Sequence, residues 1–202
     1  AQPGAKPGVL MAHASSFTAL FDANVLYSAP LRDLLMRLAV TGLFRAKWTH
    51  EINEEWAHNL LANRPDITRD QVERIKLLMN NNARDALVDG YQHLVPALEG
   101  LPDPGDRHVL AAAIVGRAHV IVTYNLRDFP PEALARYGIE AQHPDEFIRH
   151  LIDLNENTVC GAVRQLRASL RNPPKSVEEL LVVARVESNG RLVEHIEHAA
   201  EI

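Results

Sequence analysis

Four acidic side chains stand where carboxylates could act together: Asp22, Glu55, Asp106 and Asp128. Asp22 closes the strand-like run Phe17-Thr-Ala-Leu-Phe21, and Asn24 follows it. Thr123, Asn125 and Asp128 follow the end of Val120–Tyr124, a β-branched run of the kind buried on both faces of a sheet. Open parallel sheets bind ligands beyond the carboxyl ends of their strands. If the two strands are neighbours, both polar clusters meet in one crevice. Converging carboxylates with little basic compensation repel one another, and such a cluster makes sense around a cation. An all-oxygen ligand set selects hard ions, Mg²⁺ or Mn²⁺, over zinc. The chemistry it permits is phosphodiester hydrolysis, in which the ion binds the phosphate and activates an attacking water.

Two of the acids are chosen by helix geometry. Thr49 is read as the cap of a helix running to about Ala62, with Ile52, Trp56 and Leu60 as its apolar stripe. At ~100° per residue, Glu55 lies roughly 100° from the middle of that stripe and Glu54 roughly 160°. Glu55 therefore borders the buried face, Glu54 points to solvent, and Glu51 is intermediate. Asp106 heads the inward face of a helix that carries Val109, Leu110 and Ala113. Asp103 fits an N-cap followed by Pro104 at the first helical position. Plainer readings stand beside these. Asp22 could be a loop acid that caps the next helix, although the helix starting at Pro30 is too far on for a direct cap. The three glutamates could form a solvated face, and Asp106 could be a first-turn acid favoured by the helix dipole. His195 and His198 share a helix face but lack a third ligand, and Cys160 reads as core. No Ser/His/Asp or Cys/His arrangement is evident.

The elements that must hold these residues alternate. A strand to Asp22 is followed by a helix over Leu31–Val40 with Gly42 as its stop, a short strand over Phe44–Trp48, and the Glu55 helix. Thr68-Arg-Asp-Gln71 is a capping-box pattern opening a helix with Val72, Ile75, Leu78 and Met79 on one face. Ala83–Leu98 is ambiguous, Pro102–Gly105 is a turn, and Asp106–Arg117 is a helix. After the His119–Tyr124 strand, Pro130–Tyr137 is a short helix closed by Gly138. Strands separated by helices predict an α/β fold with a parallel sheet. From Pro144 the pattern turns helical, with a break at Pro173-Pro174 and a second capping box at Ser176-Val-Glu-Glu179. Leu180, Val183 and Ala184, and then Leu192, Ile196 and Ala199, form apolar stripes there. The expected division is a disordered tail over 1–15, an α/β domain over 16–145 and a helical region over 146–202.

Composition narrows the class. The chain has 202 residues, 47% hydrophobic and 23% charged, as in ordinary globular proteins. Its longest stretch without a polar side chain, Val109–Gly116, is far too short to cross a bilayer. No leader peptide and no membrane partner are expected, and the single cysteine fits a reducing, cytoplasmic setting. A net charge of −5 argues against a nucleic-acid binder, but a hard-metal site needs several carboxylates. The cations are mostly arginine, which suits bidentate phosphate contacts.

Phe21-Asp-Ala-Asn-Val-Leu-Tyr-Ser28, Glu54-Glu55-Trp56, Pro102-Asp-Pro-Gly-Asp-Arg-His-Val-Leu-Ala-Ala-Ala113 and Val122-Thr-Tyr-Asn-Leu-Arg-Asp-Phe129 resemble the successive acidic motifs of the PIN-domain family. Their order matches over roughly residues 17–145. The resemblance extends to the VapC-type toxins of bacterial toxin–antitoxin pairs, in the branch with extra C-terminal helices. It implies a Rossmann-like parallel sheet flanked by helices, Mg²⁺ or Mn²⁺ as cofactor, endoribonuclease activity on RNA, and a cognate antitoxin protein as partner. The first three acids map to Asp22, Glu55 and Asp106, and the fourth region to Asn125 and Asp128. Asn24 and Thr123 match the family's hydrogen-bonding supports. Single-stranded loops are the favoured substrate, since unstacked bases are accessible there. The C-terminal helices are expected to pack on the core or to help hold an antitoxin or a second copy of the chain. A non-catalytic scaffold that binds RNA or a protein, and a housekeeping RNA-processing nuclease, remain as alternatives. A haloacid-dehalogenase-like phosphatase would need an acid at Asn24, and a receiver domain a lysine after a late strand.

Overall fold

The structure is a computed structural model, and it describes residues 17–169. The terminal tail and everything expected after residue 169, including the Pro173-Pro174 break, the second capping box, both late apolar stripes, His195 and His198, lie outside the described residues.

A four-stranded, all-parallel sheet runs through the centre in the order β2-β1-β3-β4. Its strands are β1 (Phe17–Phe21), β2 (Phe44–Lys47), β3 (Val120–Val122) and β4 (Glu140–Gln142). The helices are α1 (Ala23–Tyr27), α2 (Ala29–Val40), α3 (His50–Asn63), α4 (Arg69–Asn82), α5 (Arg107–Val115), α6 (Pro131–Leu134) and α7 (Pro144–Ser169). This is the expected α/β class with a parallel sheet flanked by helices. β1 and β3 are indeed neighbours, with Phe21 opposite Val122. The chain order β1, β2, β3 steps first one way and then the other across the sheet. Right-handed crossovers then put α2 and α5 on opposite faces, which is why β1 and β3 are buried on both sides.

Aromatic packing fills one face. Phe17 and Phe21 from β1, Phe44 from β2 and Phe147 from α7 have ring centroids 5.1–6.0 Å apart. Phe17 and Phe44 are tilted and the other contacts are edge-to-face; edge-to-face pairs stabilise beyond the area they bury, by about 0.5–1.5 kcal/mol each. The α7 helix is two helices joined at Asn155, whose backbone is non-helical (φ −159°, ψ 87°). The Asn155 side chain then accepts from the Thr158 N–H at 3.1 Å, capping the second half. Phe147, Ile148 and Leu151 are buried before the kink, and Val159, Cys160, Ala162, Val163 and Leu166 after it. The proposed division between 145 and 146 thus falls inside α7, whose first half is part of the core.

Three expectations change. A helix precedes the expected one: α1 begins at Ala23, directly after Asp22, and Ser28 separates it from α2. A fourth strand, β4, lies where a short stretch, Glu-Ala-Gln, offered no apolar pattern; it pairs with β3 in parallel register. On α4 the inward face is Val72, Lys76 and Met79, while Leu78 is half exposed. Lys76 lies on the stripe at i+4, and its stem is buried while its amine reaches Glu54 and Glu73 at 2.5 and 2.6 Å. The ambiguous 83–98 stretch contains a single parallel bridge, Trp48 with Leu87, that extends the β2 edge. No helix among the described residues is long and apolar enough to cross a membrane.

Candidate active site

The carboxyl ends of β1 and β3 form the floor of the candidate site. Asp22 is the first residue past β1, and its N–H still donates to the Val122 carbonyl at 3.1 Å. Thr123 is the first residue past β3 and donates its N–H to Gln142 at 3.0 Å. The sheet ladder therefore sets both side chains side by side. Thr123 Oγ1 donates to Asp22 Oδ2 at 2.7 Å and accepts from Asn24 Nδ2 (3.1 Å) and the Asn125 N–H (3.0 Å), which uses all its bonding capacity. Asn24 also donates to Asp22 Oδ2 at 2.7 Å and accepts from the Tyr124 N–H at 3.2 Å. Both ends of this amide are used, so an acid here would lose the donors that hold Asp22.

Asp22 Oδ1 accepts from the Ala23 N–H at 2.6 Å, as the N-cap of α1. The helix near Pro30 is indeed out of reach of Asp22, but α1 begins at the very next residue and takes the cap. Capping and cation binding are compatible. A carboxylate has about four lone-pair sites; three are taken by Ala23, Asn24 and Thr123, leaving one on Oδ1. Asp22 is only 6% exposed. Burial raises its pKa, the hydrogen bonds from Thr123 and Ala23 oppose that, and the charge of Glu55 adds to it.

Asp106 sits at the head of α5, which runs antiparallel to β3, so its first turn lies at the same edge of the sheet. The Pro104–Asp106 turn before it is capped by Asp103, whose Oδ1 accepts from the Gly105 N–H at 2.7 Å, as the sequence predicts. Asp106 itself makes no side-chain capping bond. Its pKa is raised to about 6, first by desolvation and then by the charges of Asp22, Asp128 and Asp103, with His108 pulling the other way. Asp128 closes a short turn after Asn125 and is half-buried, while Asn125 is exposed. Asp22, Asp106 and Asp128 therefore share one electrostatic space. Their spare oxygens and hard-donor chemistry fit a divalent cation.

Glu55 and Glu54 diverge as the helix geometry predicts. Glu54 is exposed and bound to Lys76. Glu55 is half-buried, and its Oε1 lies 3.0 Å from His108 Nε2. The helix that carries it is fixed to α1 by Arg32, which donates to the Leu26 carbonyl at 2.6 Å and stacks over the Trp56 ring at 4.7 Å. Among the described residues, the three potential ligands whose atoms all lie within 4.8 Å of one another are Glu51, Glu55 and His108, not the three aspartates with Glu55. Glu55 is drawn toward the imidazole, and the aspartates, being like charges, stand further apart.

His108 is the residue that the pattern of acids passed over. It is 7% exposed. Burial lowers its pKa, but the Glu55 hydrogen bond and the charges of Glu55, Glu51 and Asp22 outweigh that and raise it. A signal was present: His108 belongs to a run in which every residue through Ala113 is buried. A helix apolar on all sides leaves a histidine no solvent face, so it must find polar partners inside.

Residues 18–127, more than half of the chain, match the PIN domain family. Residues 144–185 match the family described as the VapC50 C-terminal domain. A Mycobacterium tuberculosis protein named "Putative ribonuclease VapC50" is 40% identical over 101 residues, covering 50% of this chain and 59% of that protein. No solved structure matches the chain.

Proposed function

The chain belongs to the PIN-domain family, and from that premise we propose that it is a metal-dependent endoribonuclease, the toxin of a VapC-type toxin–antitoxin pair. The observation that carries this reading is Asp22 at the carboxyl end of β1. Three donors hold it rigid, one lone pair is left over, and the charges of Asp22 and Asp128 press on Asp106. The similarity to the mycobacterial relative supports the ribonuclease class.

Asp22, Asp106 and Asp128, with Glu55 at the rim, would hold Mg²⁺ or Mn²⁺. A bound divalent ion would offset phosphate charge and lower the pKa of an attacking water. The chain's own part is orientation. Thr123 and Asn24 fix Asp22, the α5 N-terminus presents Asp106, and Glu55 borders the crevice where it can accept a proton from water. The dry floor under Asp22 strengthens each of these interactions. A cognate antitoxin would neutralise the site by placing a basic side chain among the acids, which would exclude the cation or the phosphate. Cys160, a buried thiol on α7, fits a reducing cytoplasm.

Purified protein is expected to cleave RNA with Mg²⁺ or Mn²⁺ and to stop in EDTA. Full cleavage in EDTA would remove the metal mechanism. In the same assay Glu54→Gln should stay within about twofold of wild type, since Glu54 faces solvent away from the aspartates and Lys76 keeps Glu73 as a partner. Glu55→Gln should lose most activity. The reverse ranking would mean that α3 turns its other edge to the substrate. A basic peptide from a neighbouring antitoxin gene should inhibit the wild type, and failure of every such partner to bind would favour an RNA-processing role.

A further inference from the structure

We propose that Glu51, Glu55 and His108 form a second cation site, distinct in chemistry from the aspartate set, that takes zinc-class ions and competes for Glu55. The three residues present ligand atoms within 4.8 Å of one another. His108 Nε2 is 3.0 Å from Glu55 Oε1, and His108 Nδ1 is 3.7 Å from Glu51 Oε2. The second separation is too long for a hydrogen bond, and Nδ1 is buried with no hydrogen-bond partner. The His108 side chain is 9% exposed. A buried ring nitrogen without a partner costs free energy; a cation taken on Nδ1, beside the two carboxylates, would remove that cost and balance their charge.

The surroundings orient the set. Glu51 and Glu55 are successive turns of α3, at i and i+4, so they project from one face. Tyr91 donates its hydroxyl to Glu51 Oε2 at 2.8 Å, which holds that carboxylate in place. His108 comes from the opposite wall, on α5. One imidazole and two carboxylates, with a position left for water, are the ligand types of open zinc sites. Nitrogen makes the set softer than the aspartates, so zinc-class ions are preferred to Mg²⁺. Only the competition rests on the nuclease reading: Glu55 cannot serve both sets at once, so zinc here would withdraw it from the aspartates.

Zinc binding to the full chain should be followed by calorimetry, and Co²⁺ binding by its visible spectrum. Four proteins are compared: wild type, His108→Gln, Glu51→Gln, and the triple variant Asp22→Asn/Asp106→Asn/Asp128→Asn. Wild type and the triple variant should bind zinc alike. His108→Gln and Glu51→Gln should weaken binding by at least roughly 10–100-fold, the loss seen even for outer-shell partners. If His108→Gln does not fold, Glu51→Gln decides alone, because Glu51 is exposed and its loss opens no core. Equal zinc affinity in wild type and Glu51→Gln would overturn the site and leave His108 as an imidazolium bridging two glutamates. Loss of zinc in the triple variant would also overturn it, by assigning zinc to the aspartates. Zinc binding as expected in a protein that cleaves no RNA with Mg²⁺ would sink the nuclease reading and leave this site standing.

Discussion

Asp106→Asn is expected to lower RNA cleavage by on the order of 10²–10³-fold, the usual effect of removing a principal electrostatic element, while making the metal-free protein more stable. The two effects have one cause. In the folded chain Asp106 keeps its proton to about pH 6, against 3.8 for an ordinary aspartate. Between those values the folded state binds more protons than the unfolded state, so stability falls as pH rises through that window. Above about pH 6 the whole penalty is present, and below 3.8 it is absent. Asparagine removes the charge and with it the penalty. Asp106 is partly exposed, so solvent screening reduces the gain to about 1 kcal/mol. That corresponds to a melting temperature about 2–4 °C higher at pH 7.5. At pH 3.5 the two proteins should melt together. Adding Mg²⁺ should reverse the order at pH 7.5, because only the wild type then gains from binding. A variant that melts lower than wild type at pH 7.5 without metal would show that Asp106 is held by a favourable bond rather than strained by its neighbours.

Phe147→Ala is expected to cost about 3–5 kcal/mol, the range for emptying a large aromatic site in a core. Total stabilities are about 5–15 kcal/mol, so the variant would be left marginal. The melting temperature should fall by about 6–20 °C. Phe147 is 1% exposed and its ring meets Phe17, Phe21 and Phe44 within 6.0 Å. β1, which leads directly into Asp22, rests on that cluster, so cleavage at temperatures near the new midpoint should fall with the folded fraction. Thermal melts by circular dichroism decide the matter. A change under about 1 kcal/mol would mean that α7 does not support the sheet and that the helical region after residue 145 is separable from it.

The α/β class, the parallel sheet and most helix starts were legible because they rest on local rules. Thr49 caps α3 by accepting from the Ile52 N–H, and Thr68 with Gln71 forms the capping box of α4. Period-3.6 reasoning also separated Glu55 from Glu54, since the angle from an apolar stripe is a property of one helix. The same reasoning misassigned Leu78 on α4 and passed over Lys76, whose stem, not its charge, packs inward on the stripe. α1 was missed because five residues are too few for a periodic pattern, and β4 because a three-residue edge strand with a single apolar residue, Ala141, shows no alternation.

Which residue types could do the chemistry, in which order, and at which element ends, was determined by the sequence itself. Strand ends and helix starts are written in contiguous residues, and Asp22, Asp106 and Asp128 stand at those punctuation points, while Glu55 is read from the register of α3. What each acid touches was decided only by the tertiary structure. Thr123 and Asp22 are 101 residues apart and meet because β1 and β3 are adjacent in the sheet. His108 meets Glu55 because α5 and α3 face one another across the carboxyl edge. No local pattern encodes either meeting: adjacency of strands and helices comes from burying the whole set of apolar faces at once, and the polar contacts at the sheet edge follow from that packing.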